Sequence, residues 1–177
     1  MVLKRGTIIG LAGAKGVGKT TVAQEIADRY VDPVEILSFA SPLKKMLLAM
    51  GIPNRNVHDP KFKDEPIDWI GKSARELMQS LGTEWARNQI CDDIWLRSIE
   101  SRMSVFNINV PIVIDDVRFD NEVDYIKSID GKIVLLEREG YEFTMEHITE
   151  MGVSSYDYKV DANNINDAVD FILTNCH

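Results

Sequence analysis

Gly13-Ala14-Lys15-Gly16-Val17-Gly18-Lys19-Thr20 satisfies the pattern G-x-x-x-x-G-K-[ST] at every fixed position. Its flanks restrict the fold further. Thr7-Ile8-Ile9-Gly10-Leu11-Ala12 is a short apolar run that reads as a buried strand. From Thr21 to Tyr30, Val22, Ala23, Ile26 and Ala27 recur at helical spacing between polar neighbours. Strand, glycine loop and helix together place backbone N–H groups and a helix N-terminus where phosphates bind. A chance glycine-rich turn would not explain both flanks. Gly13, Gly16 and Gly18 let the chain turn tightly against phosphate oxygens. Lys19 is expected to reach the β- and γ-phosphates, and the Thr20 hydroxyl to ligate magnesium. The expected ATP-binding set in this region is Gly13, Ala14, Lys15, Gly16, Val17, Gly18, Lys19, Thr20 and Thr21.

The 177 residues suffice for one compact domain with a substantial core. A net charge of −8, without any basic run, disfavours a polynucleotide partner, which would demand a basic surface. A small anionic substrate needs only a few local cations. The apolar runs are too short to span a membrane, and the segment after the basic N-terminus reads as a strand rather than a signal peptide. Cys91 and Cys176 stand far apart without a Cys/His cluster, so reduced cytosolic thiols are expected, with neither disulfide nor zinc.

Further along, Val34–Phe39 reads as a second strand. Ser41-Pro42 opens a helix carrying Leu43, Met46, Leu47 and Met50 inward, and Gly51 ends it. Residues 52–71 are rich in Pro, Asn, Asp and Lys and read as a long loop. Ser73-Ala74-Arg75-Glu76 is a capping box that starts the next helix. There Leu77, Leu81 and Trp85 form an apolar stripe. Arg75, Gln79, Thr83 and Arg87 lie about 200° away, on a face that is equally suited to ligand or solvent. Gly82 could interrupt that helix. A helix is expected over Asp92–Met103. Val110–Ile114 is a near-continuous apolar run ending in Asp115-Asp116, the signature of a strand covered on both faces with acids at its ligand-binding end. Asp120–Ile129 is a helix, Lys132–Leu136 a strand followed by Arg138, and Tyr158–Val160 a last short strand. Residues 139–156 read as a loop or short-helix cover. Asn163-Asn164 caps a final helix. The alternation of strand and helix predicts an α/β fold with a parallel sheet.

A GTPase would carry an Asn-Lys-x-Asp guanine reader, which is missing, and a motor ATPase needs a longer chain. Phosphoryl transfer to a bound acceptor remains, and that chemistry needs cations around the transferring group. Arg75, Arg87, Arg118 and Arg138 are the candidates. Arg118 and Arg138 each follow a strand end and should reach one sheet edge.

Several stretches together resemble the phage-type deoxynucleoside monophosphate kinases of the P-loop nucleoside monophosphate kinase superfamily. They are the phosphate loop, Ser38-Phe39-Ala40-Ser41-Pro42-Leu43-Lys44, Arg75-Glu76-Leu77-Met78-Gln79-Ser80-Leu81-Gly82-Thr83-Glu84, Asp116-Val117-Arg118-Phe119-Asp120-Asn121-Glu122 and His147-Ile148-Thr149-Glu150. The resemblance implies a three-layer P-loop NTPase fold, with a five-stranded parallel sheet and helices on both faces. The core would comprise residues of about 1–40 and 106–177, with a helical monophosphate-binding insertion over about 41–105 and a short lid near 138–156. It implies transfer of the γ-phosphoryl of ATP to a deoxynucleoside monophosphate, with magnesium, in the cytosol of a host cell if the chain is phage-encoded. No membrane partner is expected, and oligomeric state stays open, a homodimer included.

By position, Arg75 and Arg87 would hold the acceptor phosphate, with Lys44, Gln79 and Arg118 as further acceptor contacts. Lys19, Arg118, Arg138 and Asp116 would form the catalytic group, Asp116 acting on magnesium through water. Asp115 is the alternative, since it matches a simple apolar-run-then-Asp pattern more closely. Asn163 and Asn164 fall where related kinases contact adenine. Residues 139–158 hold no arginine, a departure from many lids of the superfamily, so Lys15 or Arg118 would supplement Arg138. His147 is expected to be exposed, and His58 has no assigned role. Loop 52–71 and the lid are expected to close only with both nucleotides bound. Rival readings are a P-loop kinase for dephospho-coenzyme A or phosphomevalonate, and a non-enzymatic nucleotide-binding module.

Overall fold

The computed structural model describes residues 3, 6–104, 110–144 and 147–176. In chain order the elements are β1 (Ile8–Gly13), α1 (Lys19–Arg29), β2 (Glu35–Leu37), α2 (Ser41–Ala49), α3 (Asn54–His58), β3 (Pro66–Ile67) and β4 (Lys72–Ser73). Then come α4 (Ala74–Gln79), a π-helix (Ser80–Ile90), α5 (Ile94–Met103), β5 (Ile112–Val117), α6 (Asp120–Ser128), β6 (Lys132–Glu137), a 3-10 turn (Ile148–Glu150), β7 (Tyr158–Asp161) and α7 (Ile165–Asn175). They form two compact units, Phe39–Ser98 and the remainder, divided within α5 between Ser98 and Ile99. The insertion boundary expected near 105–106 lies outside the described residues, as do residues 145 and 146 of the expected lid. Among the described residues no helix is long and apolar enough to cross a membrane.

The larger unit is built on the five-stranded parallel sheet, ordered β2-β5-β1-β6-β7. Strand alternation decides which helix covers which face. Ile9, Leu11, Val113, Val134, Leu136 and Val160 pack with Val22 and Ile26 of α1 and Val169 and Ile172 of α7. The intervening residues serve the other face. There Gly10 faces Ile126 of α6, Ile133 and Val117, so closely that a Cβ would lie 2.8 to 3.0 Å from all three. The sheet is therefore covered on both faces, as its unbroken apolar strands require. β1 sits in the middle with β5 and β6 on either side, and the phosphate loop leaves its carboxyl end, where open α/β sheets bind ligands.

The smaller unit, Phe39–Ser98, has its own core of Leu47, Ile52, Val57, Ile67 and Ala74. Residues 52–71, expected to be an irregular loop, instead contain α3 and one strand of the β3–β4 hairpin. Polar side chains organise this stretch: Asn56 Nδ2 donates to the backbone Phe62 O at 3.2 Å, and Arg75 Nε to the Asp64 side-chain Oδ1 at 2.6 Å. The Ser73–Glu76 capping box is present, each partner bonding the other's backbone N–H.

The expected apolar stripe through Leu77, Leu81 and Trp85 is corrected by the geometry after Gln79. From Ser80 the helix closes i→i+5 bonds, with Cys91 N donating to Ala86 O at 2.9 Å. The wider turn breaks the four-residue recurrence. Trp85 is left 41% exposed, while Thr83 and Arg87 turn inward. Gly82 does not break the helix. It lets Leu43 approach, and its carbonyl accepts a 2.8 Å bond from Trp95 Nε1.

Candidate functional site

The phosphate loop is held by contacts that only its own residues permit. Gly13 has φ +147°, and a Cβ there would lie 2.6 Å from the carbonyl oxygen of Leu136 in β6. The loop is thus pressed against the sheet at a place no side chain could occupy. Val17 is buried beneath it. Lys19 Nζ donates to Gly13 O at 2.6 Å and Ala14 O at 2.9 Å, which keeps the ammonium over the loop. Gly18, at φ +109°, precedes the first residue of α1 without a side-chain cap, so the first-turn amides of an 11-residue helix are presented to the loop.

Thr20 Oγ1 donates to Asp115 Oδ2 at 2.7 Å. Asp116, its neighbour and the acid expected to act on magnesium through water, accepts from Ser38 Oγ at 2.7 Å. A register shift explains the difference. Gly10 pairs with Ile114 and Ala12 with Val117, so two steps along β1 match three along β5. The additional residue falls at Asp115–Asp116, and such bulges re-aim side chains beside active sites. Val113 and Asp115 face α1, yet Val117 faces Gly10 on the α6 side. Asp115 is buried.

Arg118 and Arg138 both follow strands of this sheet. The turn after β5 is fixed by Glu122, only 2% exposed, whose Oε2 accepts from Arg118 N at 2.8 Å and Phe119 N at 3.2 Å. Arg118 Nη1 donates to Thr149 O at 3.2 Å, and Asp120 Oδ1 accepts from Ser154 N at 2.8 Å. His147 is half-buried and caps the 3-10 turn, its Nδ1 accepting from Thr149 N at 3.2 Å, contrary to the exposed position expected. Arg138 Cζ lies 5.2 Å from the centroid of the Tyr141 ring. Arg138, Tyr141, Lys159, Asp161, Asn163 and Ala14 border a cleft of about 600 Å³ beside the loop. Asn163 Oδ1 accepts from Glu139 N at 3.2 Å. Asn164 is spent otherwise: its Oδ1 accepts from Asn166 N at 3.0 Å and caps α7. Lys15 is exposed on the loop, and Thr21 is exposed in the first turn of α1.

Within Phe39–Ser98, Lys44 lies half-buried on α2 and Gln79 half-buried at the end of α4. Arg75 N donates to Lys63 O at 3.1 Å while its guanidinium is held by Asp64. His58 titrates below its ordinary value, first through partial burial and then through the charges of Lys44 and Lys63. Lys63 thus joins the cations that the sequence indicated only through Lys44 and Arg75, and the His58 imidazole lies beside them with its neutral form favoured. Arg87 does not share a face with Arg75. Its side chain is buried in the π-helix, and Nη1 donates to Asp92 O at 2.9 Å.

A family model of deoxynucleotide monophosphate kinase matches residues 63–170. Among curated proteins, one from Acanthamoeba polyphaga mimivirus, provisionally named a deoxynucleotide monophosphate kinase, is 31% identical over 173 residues and 85% of each chain is covered. Among solved structures, shikimate kinase from Bacteroides thetaiotaomicron aligns over 94% of this chain and 95% of its own, at 15% identity and a TM-score of 0.50, a likeness of fold. A gluconokinase from Sinorhizobium meliloti 1021 aligns over 97% of this chain and 92% of its own, at 14% identity and a TM-score of 0.49. With the family model spanning more than half of its length, the chain belongs to the deoxynucleotide monophosphate kinase family, ATP-dependent phosphotransferases acting on deoxynucleoside monophosphates.

Proposed function

We propose that the phosphate loop, Thr20 and Asp115 hold the triphosphate of magnesium-ATP, and that a deoxynucleoside monophosphate is the acceptor. The observation that carries this reading is the 2.7 Å Thr20–Asp115 bond beside Lys19. A hydroxyl and a carboxylate are hard oxygen donors, few in number, which suits an ion that keeps waters and phosphate oxygens as its other ligands. Thr20 and Asp115 would hold magnesium, which would supply positive charge against the phosphates. Lys19 exchanges the carbonyls of Gly13 and Ala14 for phosphate oxygens. Arg138 and Arg118 supply positive charge as the γ-phosphoryl transfers, and Asn163 faces the nucleoside end of ATP. Asp116, bonded to Ser38, supports the strand end rather than the ion.

On the acceptor side, Lys44, Arg75 and Gln79, joined by His58 and Lys63, are assigned to the monophosphate. The acceptor phosphate oxygen attacks the γ-phosphorus, the bond to the β–γ bridging oxygen breaks, and ADP leaves. No protein nucleophile is needed. The enzyme aligns the partners, balances charge and excludes water. The two free thiols, Cys91 exposed and Cys176 buried, fit a reducing cytosol.

The test is ADP production from magnesium-ATP with dAMP, dGMP, dCMP and dTMP separately, beside the ribonucleotides, a blank without acceptor, and Lys19→Ala. Turnover well above the blank with at least one deoxynucleotide, lost in Lys19→Ala, is expected. Near-normal turnover in Lys19→Ala would refute the assignment of the loop. A flat panel over intact ATP binding would refute the acceptor.

A further inference from the structure

We propose that Tyr141 is a positioning residue, whose ring carries the Arg138 guanidinium to the rim of the phosphate loop at Gly16. It rests on the reading of Arg138 as a cation for the transferring phosphoryl group. Arg138-Glu139-Gly140-Tyr141 is a closed four-residue turn, with Tyr141 N donating to Arg138 O at 3.1 Å. Its first and last residues pair as an antiparallel bridge. Gly140 takes φ +80° at the third position, the value that a type II turn assigns to glycine. The turn brings the Tyr141 ring against the Arg138 guanidinium, 5.2 Å from Cζ to centroid, within the range of cation–π attraction.

The edge of the same ring lies on the loop. A Cβ at Gly16 would be 2.8 Å from Tyr141 Cε1 and 3.1 Å from Cδ1. One aromatic ring therefore spans from the guanidinium to the glycine that phosphate oxygens must approach. An aromatic partner leaves N–H groups of a guanidinium available to bind phosphate oxygens in a fork. A carboxylate partner would consume those groups. Since residues 139–158 hold no arginine, the placement of Arg138 decides what positive charge this segment offers. The ring does this work, and the phenolic hydroxyl is not required for it.

The test compares kcat, the KM for ATP and acceptor, and melting temperature for wild type, Tyr141→Phe, Tyr141→Ala, Arg138→Ala and the double alanine variant. Tyr141→Ala is expected to lower kcat about three- to tenfold, the scale of a partly exposed cation–π contact. Acceptor KM and melting temperature should hardly change. Tyr141→Phe should stay within about twofold of wild type. In the Arg138→Ala background, Tyr141→Ala should cost nothing more, because two residues acting as one unit are not additive. An equal further loss in the double variant would overturn the proposal, as would a Tyr141→Phe as slow as Tyr141→Ala, or an unchanged Tyr141→Ala. Wild-type kcat in Arg138→Ala would refute the role of Arg138 itself, and the proposal with it.

Discussion

Asp115 and Asp116 are adjacent and both carboxylates accept a hydroxyl bond at 2.7 Å, but they point in different directions and Asp115 is the more buried. Replacing each separately by Asn therefore tests both directions with the same chemistry. Asparagine keeps the shape and an acceptor oxygen, so each hydroxyl stays bonded. A charged hydrogen bond contributes about 1.5–3 kcal/mol and a neutral one about 0.5–1.5, so either substitution removes about 1–1.5 kcal/mol. For Asp115, burial of the charge offsets part of that loss. In a chain of this length the melting temperature should fall by roughly 2–6 °C for Asp116→Asn and by less for Asp115→Asn. Activity should separate them much further. Asp115→Asn also removes a negative charge from the oxygen pair assigned to magnesium, and one preorganised electrostatic group is worth about 10²–10³ in kcat. Asp116→Asn should keep kcat within about tenfold, the most that its bond energy could take. Initial rates of ADP release over a magnesium titration, below both melting temperatures, provide the assay. Asp115→Asn should also need more magnesium to reach half its own maximum. If Asp116→Asn loses a hundredfold while Asp115→Asn turns over normally, the bulge does not aim the catalytic acid and the reasoning fails.

Iodoacetamide at pH 8 should modify Cys91 and spare Cys176, because burial pushes the Cys176 thiol up to about 12 and Asp157 adds to the shift. Intact-mass analysis should show one adduct on the folded chain and two after denaturation. Two adducts at equal rates on the folded chain would contradict the packing under α7. Ser73→Ala should cost about 1 kcal/mol and lower the melting temperature by about 2–4 °C, the price of a helix cap. The Glu76 carboxyl is held below its ordinary 4.5, chiefly by the Ser73 backbone N–H and then by Lys72. The stability difference between wild type and Glu76→Gln should therefore be full above about pH 4.5 and vanish as pH falls through the lowered value. Arg87→Ala should cost about 2–3 kcal/mol, through lost packing and the lost bond to the Asp92 carbonyl, and leave the acceptor KM unchanged at low temperature. A raised acceptor KM at an unchanged melting temperature would return Arg87 to the acceptor site.

Sequence patterns served best where local chemistry and tertiary packing agree. The phosphate loop, all five sheet strands, the Ser73–Glu76 box and the Asn164 cap each follow from short-range rules, and the structure has them in place. Two features escape a sequence reading for one physical cause, a change of period that side-chain type does not announce. Between Ile114 and Val117 an additional residue resets strand alternation, so no count along the sequence tells Asp115 from Asp116. After Gln79 the helix widens to i→i+5 bonds, so a four-residue recurrence no longer marks a face and Trp85 and Arg87 exchange environments. The polar stretch 52–71 misled differently. Its order comes from side chains bonding backbone, as Asn56 does to Phe62, and hydrophobic periodicity is blind to that.

The stretch Asp116–Glu122 is among the most specific in the sequence. Its order reads as a set of anchors. Asp116 takes Ser38, and Glu122 takes the amides of Arg118 and Phe119, which fixes the turn. Asp120 then takes Ser154 N, and Arg118 reaches Thr149 O, so two of the seven residues bind the chain between β6 and β7. That chain begins at Arg138 and Tyr141, beside the phosphate loop. An enzyme that must keep water from a transferring phosphoryl group gains from a cover attached at both ends. We propose the chain between β6 and β7 as such a cover, with the Arg138–Tyr141 turn at one end and the contacts to the Asp116–Glu122 stretch at the other. In the proposed function Arg118 would have two duties, since its guanidinium already bonds Thr149 O. Arg118→Lys separates them. Lysine keeps the charge but cannot hold a carbonyl and a phosphate in a fixed fork. Retained ATP affinity with increased ATP hydrolysis in the absence of acceptor is the expected result, because a loosened cover admits water while the loop still binds. Unchanged hydrolysis without acceptor would mean that the Thr149 contact does not hold the cover.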